Sequence, residues 1–463
     1  MLKYQFMRRL FLLVFCLPLL VQAQVNQDSM MIKKMSDEIM TNGKAYDLLR
    51  ELTKKIGGRL AGSPQQQNAA VWGKRNMESF NPDKVFFQAC KTPNWQRGGK
   101  DFAAVVGING KPTVQKLEAL ALGNSLGSNG LIEADVLAVA NFDELEKRKD
   151  EVKGKIVYFN SEFDPTFVQT FKAYGASGVY RRSGPSRAAK YGAVGVMIHS
   201  LSSAPDNAPH TGAMVYDEAQ PKIPAVALGP NDAKALYAQA KKGTVRAQMQ
   251  TFGFYLPDAD ENNVVAELKG TEHPEEIITI GGHLDSWDVN EGAHDDGAGV
   301  VHAMEVLRTM KALNYQPKHT IRFVLFANEE NGGKGGAKYA ELAKTNKEKH
   351  ILALESDEGG FTPRAIAITC SPAQFARFEK WTPLLKPYGT EVTSGGGGAD
   401  ISPLTGYDKS IILSSMIPDS QRYFDLHHAK TDVFENVNKR ELLLGAVNIA
   451  AFIYLVDQHG VNP

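Results

Sequence analysis

Carboxylates and imidazoles recur through the C-terminal half of this chain at separations that suit a metal site. Gly281-Gly282-His283-Leu284-Asp285-Ser286-Trp287-Asp288 comes first. His294-Asp295-Asp296-Gly297-Ala298-Gly299, Glu329-Glu330, Asp357 and His427-His428 follow. Neutral imidazole and carboxylate oxygen are ligands that zinc takes. Ions so held acidify water and polarise carbonyl groups, so the chemistry on offer is hydrolysis. Taken singly, each residue has a structural explanation. Asp295 or Asp296 can cap a helix, Glu329-Glu330 can be a solvated pair, and His427-His428 can be surface or packed core. His199, His210, His273 and His459 keep that explanation, because they lack such company. The joint pattern favours a metal site.

Such residues need a frame. From Asn262 the apolar pattern is α/β, with strands at Glu276 to Gly281, Thr320 to Ala327 and His350 to Glu355. Helices are expected over Gly299 to Leu313, Gly335 to Thr345 and Lys439 to Asp457. Continuous apolar strands alternating with helices indicate a sheet covered on both faces. His283, Asp285, Asp295, Glu329-Glu330 and Asp357 then fall at the carboxyl ends of strands or in the loops there, where open α/β sheets keep their sites.

Upstream, a helix is expected from Gln27 to Ile56, a Gly/Pro loop at Gly57 to Pro64, a helix from Gln65 to Phe80, and strands at Lys84 to Ala89 and Asp101 to Val106. The Gly/Ser/Asn run Asn124 to Gly130 marks a boundary. Beyond it, short strands (Ala134 to Ala140, Lys155 to Phe159, Gly195 to His199, Ile223 to Leu228) and helices (Ser186 to Tyr191, Asn231 to Lys241) contain none of the expected ligands. Residues 124–249 therefore read as an inserted domain, with residues 24–123 and 250–463 forming the catalytic one. The basic cluster Arg181-Arg182 and Arg187 reads as a solvated face, with a substrate carboxylate as the alternative partner.

At 463 residues the chain exceeds one ordinary core. Lys+Arg and Asp+Glu are both 52, which argues against a nucleic-acid or acidic-lipid partner. Lys3, Arg8 and Arg9 precede the apolar run Leu10 to Val21 and the small-residue site Val21-Gln22-Ala23. This is the pattern of a secretory signal over residues 1–23, too short to serve as a stable membrane span. The expected product is an exported, periplasmic or extracellular protein beginning at Gln24. Only Cys90 and Cys370 then remain, as one disulfide or as two unpaired thiols.

The motifs His283 to Asp288, Asp295-Asp296-Gly297, Glu329-Glu330-Asn331-Gly332-Gly333, Glu355-Ser356-Asp357 and Phe424 to His428 resemble those of the secreted two-zinc peptidases. That family includes bacterial leucyl aminopeptidases and glutamate carboxypeptidases. Asn94-Trp95-Gln96-Arg97-Gly98 is similar to the plasma glutamate carboxypeptidase subgroup. The resemblance implies a three-layer α/β/α domain with a mixed central sheet. It also implies two zinc ions per chain, one held by His283 and Asp357, the other by Glu330 and His428, with Asp295 bridging and a water between them. It prefers His428 to His427 because the ligand precedes an Asp, here Asp432, by four residues. It casts Asp285 and Asp296 as supports behind the ligands, implies a cis bond between Asp295 and Asp296, and makes Glu329 the general base. Asp400, after Gly395 to Gly398, becomes a pocket residue, and Tyr423 a substrate or oxyanion contact. Residues 124–249 resemble a protease-associated domain through Val152 to Val157, Gly192 to Val196 and Ile223 to Val226. The implied substrates are dipeptides or short peptides, and a homodimer is implied as well. The alternatives are an aminopeptidase acting on longer peptides, a one-zinc glutaminyl cyclase and a non-catalytic receptor-like module.

Overall fold

Alternation along the central strands decides the architecture. Ile278, Ile280, Ile321, Phe323, Leu325, Leu352 and Leu354 face one apolar layer, while Val265, Val324, Phe326 and Ala353 face another. Side chains two apart share a face, so each strand is buried on both sides. The computed structural model describes residues 27–462; the expected export signal and its cleavage point lie outside them. Its first sheet has eight strands in the order Lys84–Gln96, Phe254–Leu268, His319–Phe326, His273–His283, Lys349–Glu355, Ile412–Pro418, Pro363–Thr369, Glu391–Ser394. The four central strands from His319–Phe326 to Ile412–Pro418 are parallel, and antiparallel pairings flank them. Helices Ala298–Ala312 and Lys439–His459 pack on one face, and Lys334–Asn346 on the other. The sheet is thus mixed, with helices on both sides.

Lys439–His459 is long and apolar enough to cross a membrane, but 83% of its most apolar window is buried inside the protein. It is a core helix here. Asn438 starts it by accepting hydrogen bonds from the Arg440 and Glu441 amides. The helix expected over Gln27 to Ile56 is interrupted. A helix over residues 27–42 ends near Gly43, and Ala45–Glu51 begins anew with the Lys44 and Ala45 amides donating to Glu305. Cys90 and Cys370 are both free thiols.

A second eight-stranded sheet runs Lys111–Leu117, Phe102–Ile108, Val245–Gln250, Ile132–Val139, Ile156–Phe159, Gly195–His199, Ala225–Leu228, Ala119–Ala121. Three of its strands precede residue 124, where the expected inserted segment begins. The Gly/Ser/Asn run is a seam between the two sheets. Ser125 O accepts the Trp95 indole N–H at 2.9 Å, and Ser128 N–H donates to Thr251 O. The helix expected at Ser186 to Tyr191 is also much longer, Thr170–Ala189, with Pro185 inside it.

Three features lock the seam. Arg97 donates to both carboxylate oxygens of Asp288 and to Ala121 O of the second sheet. Trp95 and Trp287 meet edge to face at 6.4 Å. Trp287 also fills the space beside Gly123, where an added Cβ would stand 1.8 Å from the ring. Beside them, Glu261 is 1% exposed and fixes the Gly57-to-Pro64 loop, whose Leu60 packs with Trp95 and Trp287, by accepting the Gly62 amide at 2.8 Å. Its second oxygen has no partner among the described residues. Burial pushes its carboxyl up to about 7, with Asp285 adding to the effect.

Two tests follow from this packing. Gly123→Ala forces the buried Trp287 ring aside and should lower unfolding stability by about 1–3 kcal/mol; a wild-type urea midpoint would show that the ring moves freely. Glu261 has a folded value above its unfolded one, so its neutral form favours the fold. That stability is full below the ordinary carboxyl range and is lost as pH rises through about 7. Glu261→Gln in metal-free protein should therefore be more stable than wild type at about pH 8, by roughly 1–3 kcal/mol. The difference should close near pH 5, and a gain equal at both pH values would refute the assignment.

Candidate metal centre

The sheet delivers the residues. His283 ends its strand, Asn328-Glu329-Glu330 follows His319–Phe326, and Asp357 follows Lys349–Glu355. Asp295 lies just before helix Ala298–Ala312, and its bond to Asp296 is cis. His428 comes from the loop after Tyr423–Leu426 and holds a positive φ of 61°, an uncommon conformation for a residue with a Cβ.

Asp295 stands in the middle. Its Oδ1 is 3.2 Å from His283 Nε2, which is also 3.3 Å from Asp357 Oδ1. Its Oδ2 is 3.1 Å from His428 Nε2, which is also 3.1 Å from Glu330 Oε2. The carboxylate thus faces one imidazole and one further carboxylate on each side. Both imidazoles are turned the same way. His283 Nδ1 donates to Asp285 O at 3.0 Å, and His428 Nδ1 donates to Thr211 O at 3.2 Å. Each Nε2 is then left with a lone pair pointing at carboxylate oxygen. Lone pairs facing anions repel unless a cation lies between them. Asp295 Oδ2, Glu330 Oε1 and Asp357 Oδ1 are buried without a hydrogen bond among the described residues, although nitrogen atoms crowd the site. These donors fit a metal, and zinc suits the set.

A proton on Nε2 relieves the same repulsion, and the proton affinities of the site follow from it. Burial acts to lower His283, but Asp357, Asp285 and Asp295 outweigh it and raise the imidazole well above its usual range. His428 behaves likewise, with Glu330 and Asp295 opposing burial. Burial raises Asp295, yet the adjacent His283 and His428 imidazoles carry it well below the usual carboxylate range. Burial, then the charge of Asp295, pushes Glu330 up to about 7. Glu329 rises well above its usual value through burial, Asp357 and Glu330. Protons gather on these acids because positive charge is short.

The supporting residues act largely through backbone. Asp285 accepts the Glu329 and Glu330 amides at 2.9 and 3.2 Å, so it holds the two-glutamate turn. Its carboxylate stands 3.6 Å from His283 Nδ1, farther than its own carbonyl. Asp296 accepts the His283 and Gly299 amides at 3.0 and 2.8 Å. Asp432 accepts the His294 and Asp295 amides at 2.8 and 3.1 Å. Arg59 is fully buried and donates to the carbonyls of Leu284, Glu291 and Gly292. Sequence reading placed Arg59 only in a loop and used Asp432 only for spacing.

His427 is also brought in. Its Nε2 is 3.6 Å from Asp295 Oδ2, and its ring stacks on that of His428 at 3.5 Å. Its carbonyl accepts from His210 Nδ1 at 2.6 Å. Thr211 N–H donates to His428 O at 3.0 Å, so Thr211 holds His428 from two sides. Both His210 and Thr211 lie in the stretch that forms the second sheet, and no sequence signal marked them. Tyr423 is 3% exposed, and burial with the nearby Asp295 and Asp357 charges raises its phenol well above the usual value. Asp400 is equally buried beside Glu355, whose carboxylate accepts the Asp400 and Ile401 amides. Burial and Glu355 raise Asp400 well above the usual range. It lies behind the centre, while Tyr423 borders it.

The sequence profile of peptidase family M28 matches residues 263–453. Carboxypeptidase Q of Bos taurus is 34% identical over 417 residues, covering 89% of this chain and 85% of the relative. A solved structure described as the peptidase M28 precursor of Shewanella amazonensis SB2B is 29% identical, with a TM-score of 0.89 over 95% of this chain and 99% of its own. An aminopeptidase from Aneurinibacillus sp. strain AM-1 shares the fold, with a TM-score of 0.63 at 19% identity over 93% of this chain and 98% of its own. Identity sustained along nearly the whole chain, on a shared fold, makes this protein a member of peptidase family M28.

Proposed function

We propose that this zinc-dependent exopeptidase hydrolyses dipeptides or other short peptides at a two-zinc centre, with Glu329 as general base. The observation that supports it best is the pair of imidazole Nε2 atoms facing opposite oxygens of Asp295, each with its Nδ1 committed to a backbone carbonyl. His283 and Asp357 would hold one ion, Glu330 and His428 the other, and Asp295 would span both. When bound, zinc supplies a Lewis acid for the scissile carbonyl and makes a water acidic enough to attack near neutral pH.

The chain's own residues supply the rest. Glu329 is half-buried beside His283 and Asp357, where burial raises its affinity for a proton. It takes the proton of the attacking water and passes it to the leaving amine. Glu330, its neighbour, is committed to a metal. Tyr423 borders the centre and is suited to donate a hydrogen bond to the developing oxyanion, because its phenol stays protonated. Asp285 keeps the two glutamates apart in role by fixing both amides. We assign residues 102–250 to a protease-associated type of insertion that walls the cleft, and we assign the chain to an exported location. Aminopeptidase action on longer peptides is the competing reading; the Aneurinibacillus enzyme is too distant in sequence to favour it.

Glu329→Gln should keep its zinc by elemental analysis yet lose turnover about a hundredfold or more. Near-normal dipeptide cleavage in that variant would remove Glu329 from the mechanism. Asp357→Ala should bind less zinc than wild type, and full occupancy there would contradict its role as a ligand. Chelation should abolish cleavage and added zinc restore it; activity that survives complete removal of metal would end the metallopeptidase reading.

A further inference from the structure

One carboxylate beside the centre is held in place without a partner. Glu358 follows Asp357, and the backbone on both sides of it is pinned. Ser356 N–H donates to Gly281 O at 3.0 Å, and Ser356 Oγ lies 3.0 Å from His302 Nδ1. Gly360 N–H donates to His294 Nδ1 at 3.1 Å. Gly359 holds a φ of 87°, and a Cβ added there would stand 3.1 Å from the Tyr423 ring and 3.2 Å from that of Phe361. Glu358 therefore lies one Cα–Cα step, about 3.8 Å, from the residue that faces His283 and from the residue that abuts Tyr423.

The side chain itself is left free. Glu358 is half-buried, accepts no hydrogen bond and enters no ion pair among the described residues. The one charge that bears on it is that of Asp357, which has the same sign. Most other acids of the site are occupied. Asp285, Asp296, Asp432 and Glu355 accept backbone amides, while Asp295, Glu330 and Asp357 face imidazoles. Asp400 also lacks partners, but it is sealed behind the centre. A carboxylate partly withdrawn from water beside a like charge is costly unless a cation joins it. Among the described residues no Lys or Arg is near enough to serve. The missing cation then belongs to the substrate.

We propose that Glu358 is a specificity-determining residue that binds the cationic side chain of a lysine or arginine in the peptide substrate. This deepens the peptidase reading above and rests on it. A peptide offers two kinds of cation, its amino end and its basic side chains. The amino end sits on the Cα next to the carbonyl under attack, so it lies against the groups that meet the centre. Glu358 is one residue farther out, and neither His283, Asp295 nor Glu329 bears on it. A lysine ammonium on its flexible four-carbon stem reaches past that inner shell. A neutral side chain leaves the carboxylate unpaired and an acidic one repels it, so the site discriminates against both.

The test compares lysyl-alanine with norleucyl-alanine, and alanyl-lysine with alanyl-norleucine, on zinc-loaded protein. Norleucine keeps the alkyl stem of lysine and lacks its charge. In one of the two pairs wild type should favour the lysine dipeptide in kcat/KM by about tenfold to a hundredfold. Glu358→Gln should bring that ratio towards one, chiefly through KM, with zinc content as the check on folding. Glu358→Ala should do the same and serves if the glutamine variant does not fold. No lysine preference in either pair, or the same preference in the variants, overturns the proposal. So does an equal loss on both members of a pair, which would place the carboxylate on the amino end that they share. If wild type cleaves no dipeptide but binds lysine more tightly than norleucine by calorimetry, in a Glu358-dependent way, the peptidase reading falls and the cation site stands. If the dipeptides are cleaved with ratios that ignore Glu358, the reverse holds.

Discussion

The centre is organised by two N–H groups that point away from it. His283 and His428 each spend Nδ1 on a backbone carbonyl, Asp285 O and Thr211 O respectively. That choice fixes the tautomer, and the tautomer aims both Nε2 lone pairs at the oxygens of Asp295. Glu330 and Asp357 close the same two positions. The protein thus concentrates electron pairs where only a cation relieves them. The elevated proton affinity of Glu330 and Glu329 is the electrostatic signature of that deficit. The rest of the structure keeps the arrangement from relaxing.

Relaxation is opposed from two lobes at once. The first sheet supplies His283, the glutamates and Asp357 at neighbouring strand ends, so their spacing follows from strand pairing. His428 is different. It lies in a loop with a left-handed backbone, and the second lobe holds it through Thr211, His210 and the aromatic contacts of Tyr174. Phe171 stacks on Tyr423 at 5.4 Å, and Phe163 meets Phe424 at 5.4 Å. One half of the centre is therefore only as well placed as the contact between lobes. Trp287 joins the two accounts, since its ring fills the space at Gly123 and meets the His428 ring edge-on at 5.6 Å.

What the sequence reveals depends on whether a residue works by its side chain or through another residue's backbone. The ligand candidates carry their chemistry in their identity, and apolar strands before them place them at strand ends. Asp432 and Thr211 are legible only after folding, because each acts on an amide or carbonyl more than 130 positions away. Arg181 departs from the expected solvated face for a related reason: it is 7% exposed and turns inward, while Arg182 and Arg187 stay in water. The first strands of the second sheet are hidden for another reason. Phe102–Ile108 and Lys111–Leu117 follow directly on the first sheet's edge strand, and the pairing of Phe102–Ile108 with the distant Val245–Gln250 leaves no local mark. The long helix Thr170–Ala189 is masked by Gly175, Gly178, Gly184 and Pro185, which local propensity reads as breaks.

The duties proposed for two adjacent glutamates, ligand for Glu330 and base for Glu329, rest on very little difference in chemistry. Glu329 and Glu330 have the same carboxyl group, although Glu330 is buried and Glu329 half-buried. What differs is direction, and direction is set by the turn. Asn328 takes a positive φ of 60°, and Asp285 anchors both following amides. Glu330 then points at His428, while Glu329 lies by His283 and Asp357. A turn held by one carboxylate can thus assign two roles to one residue type. The Asp285 carboxylate is nearer to those amides than to the His283 imidazole, so its chief contact is with the glutamate turn.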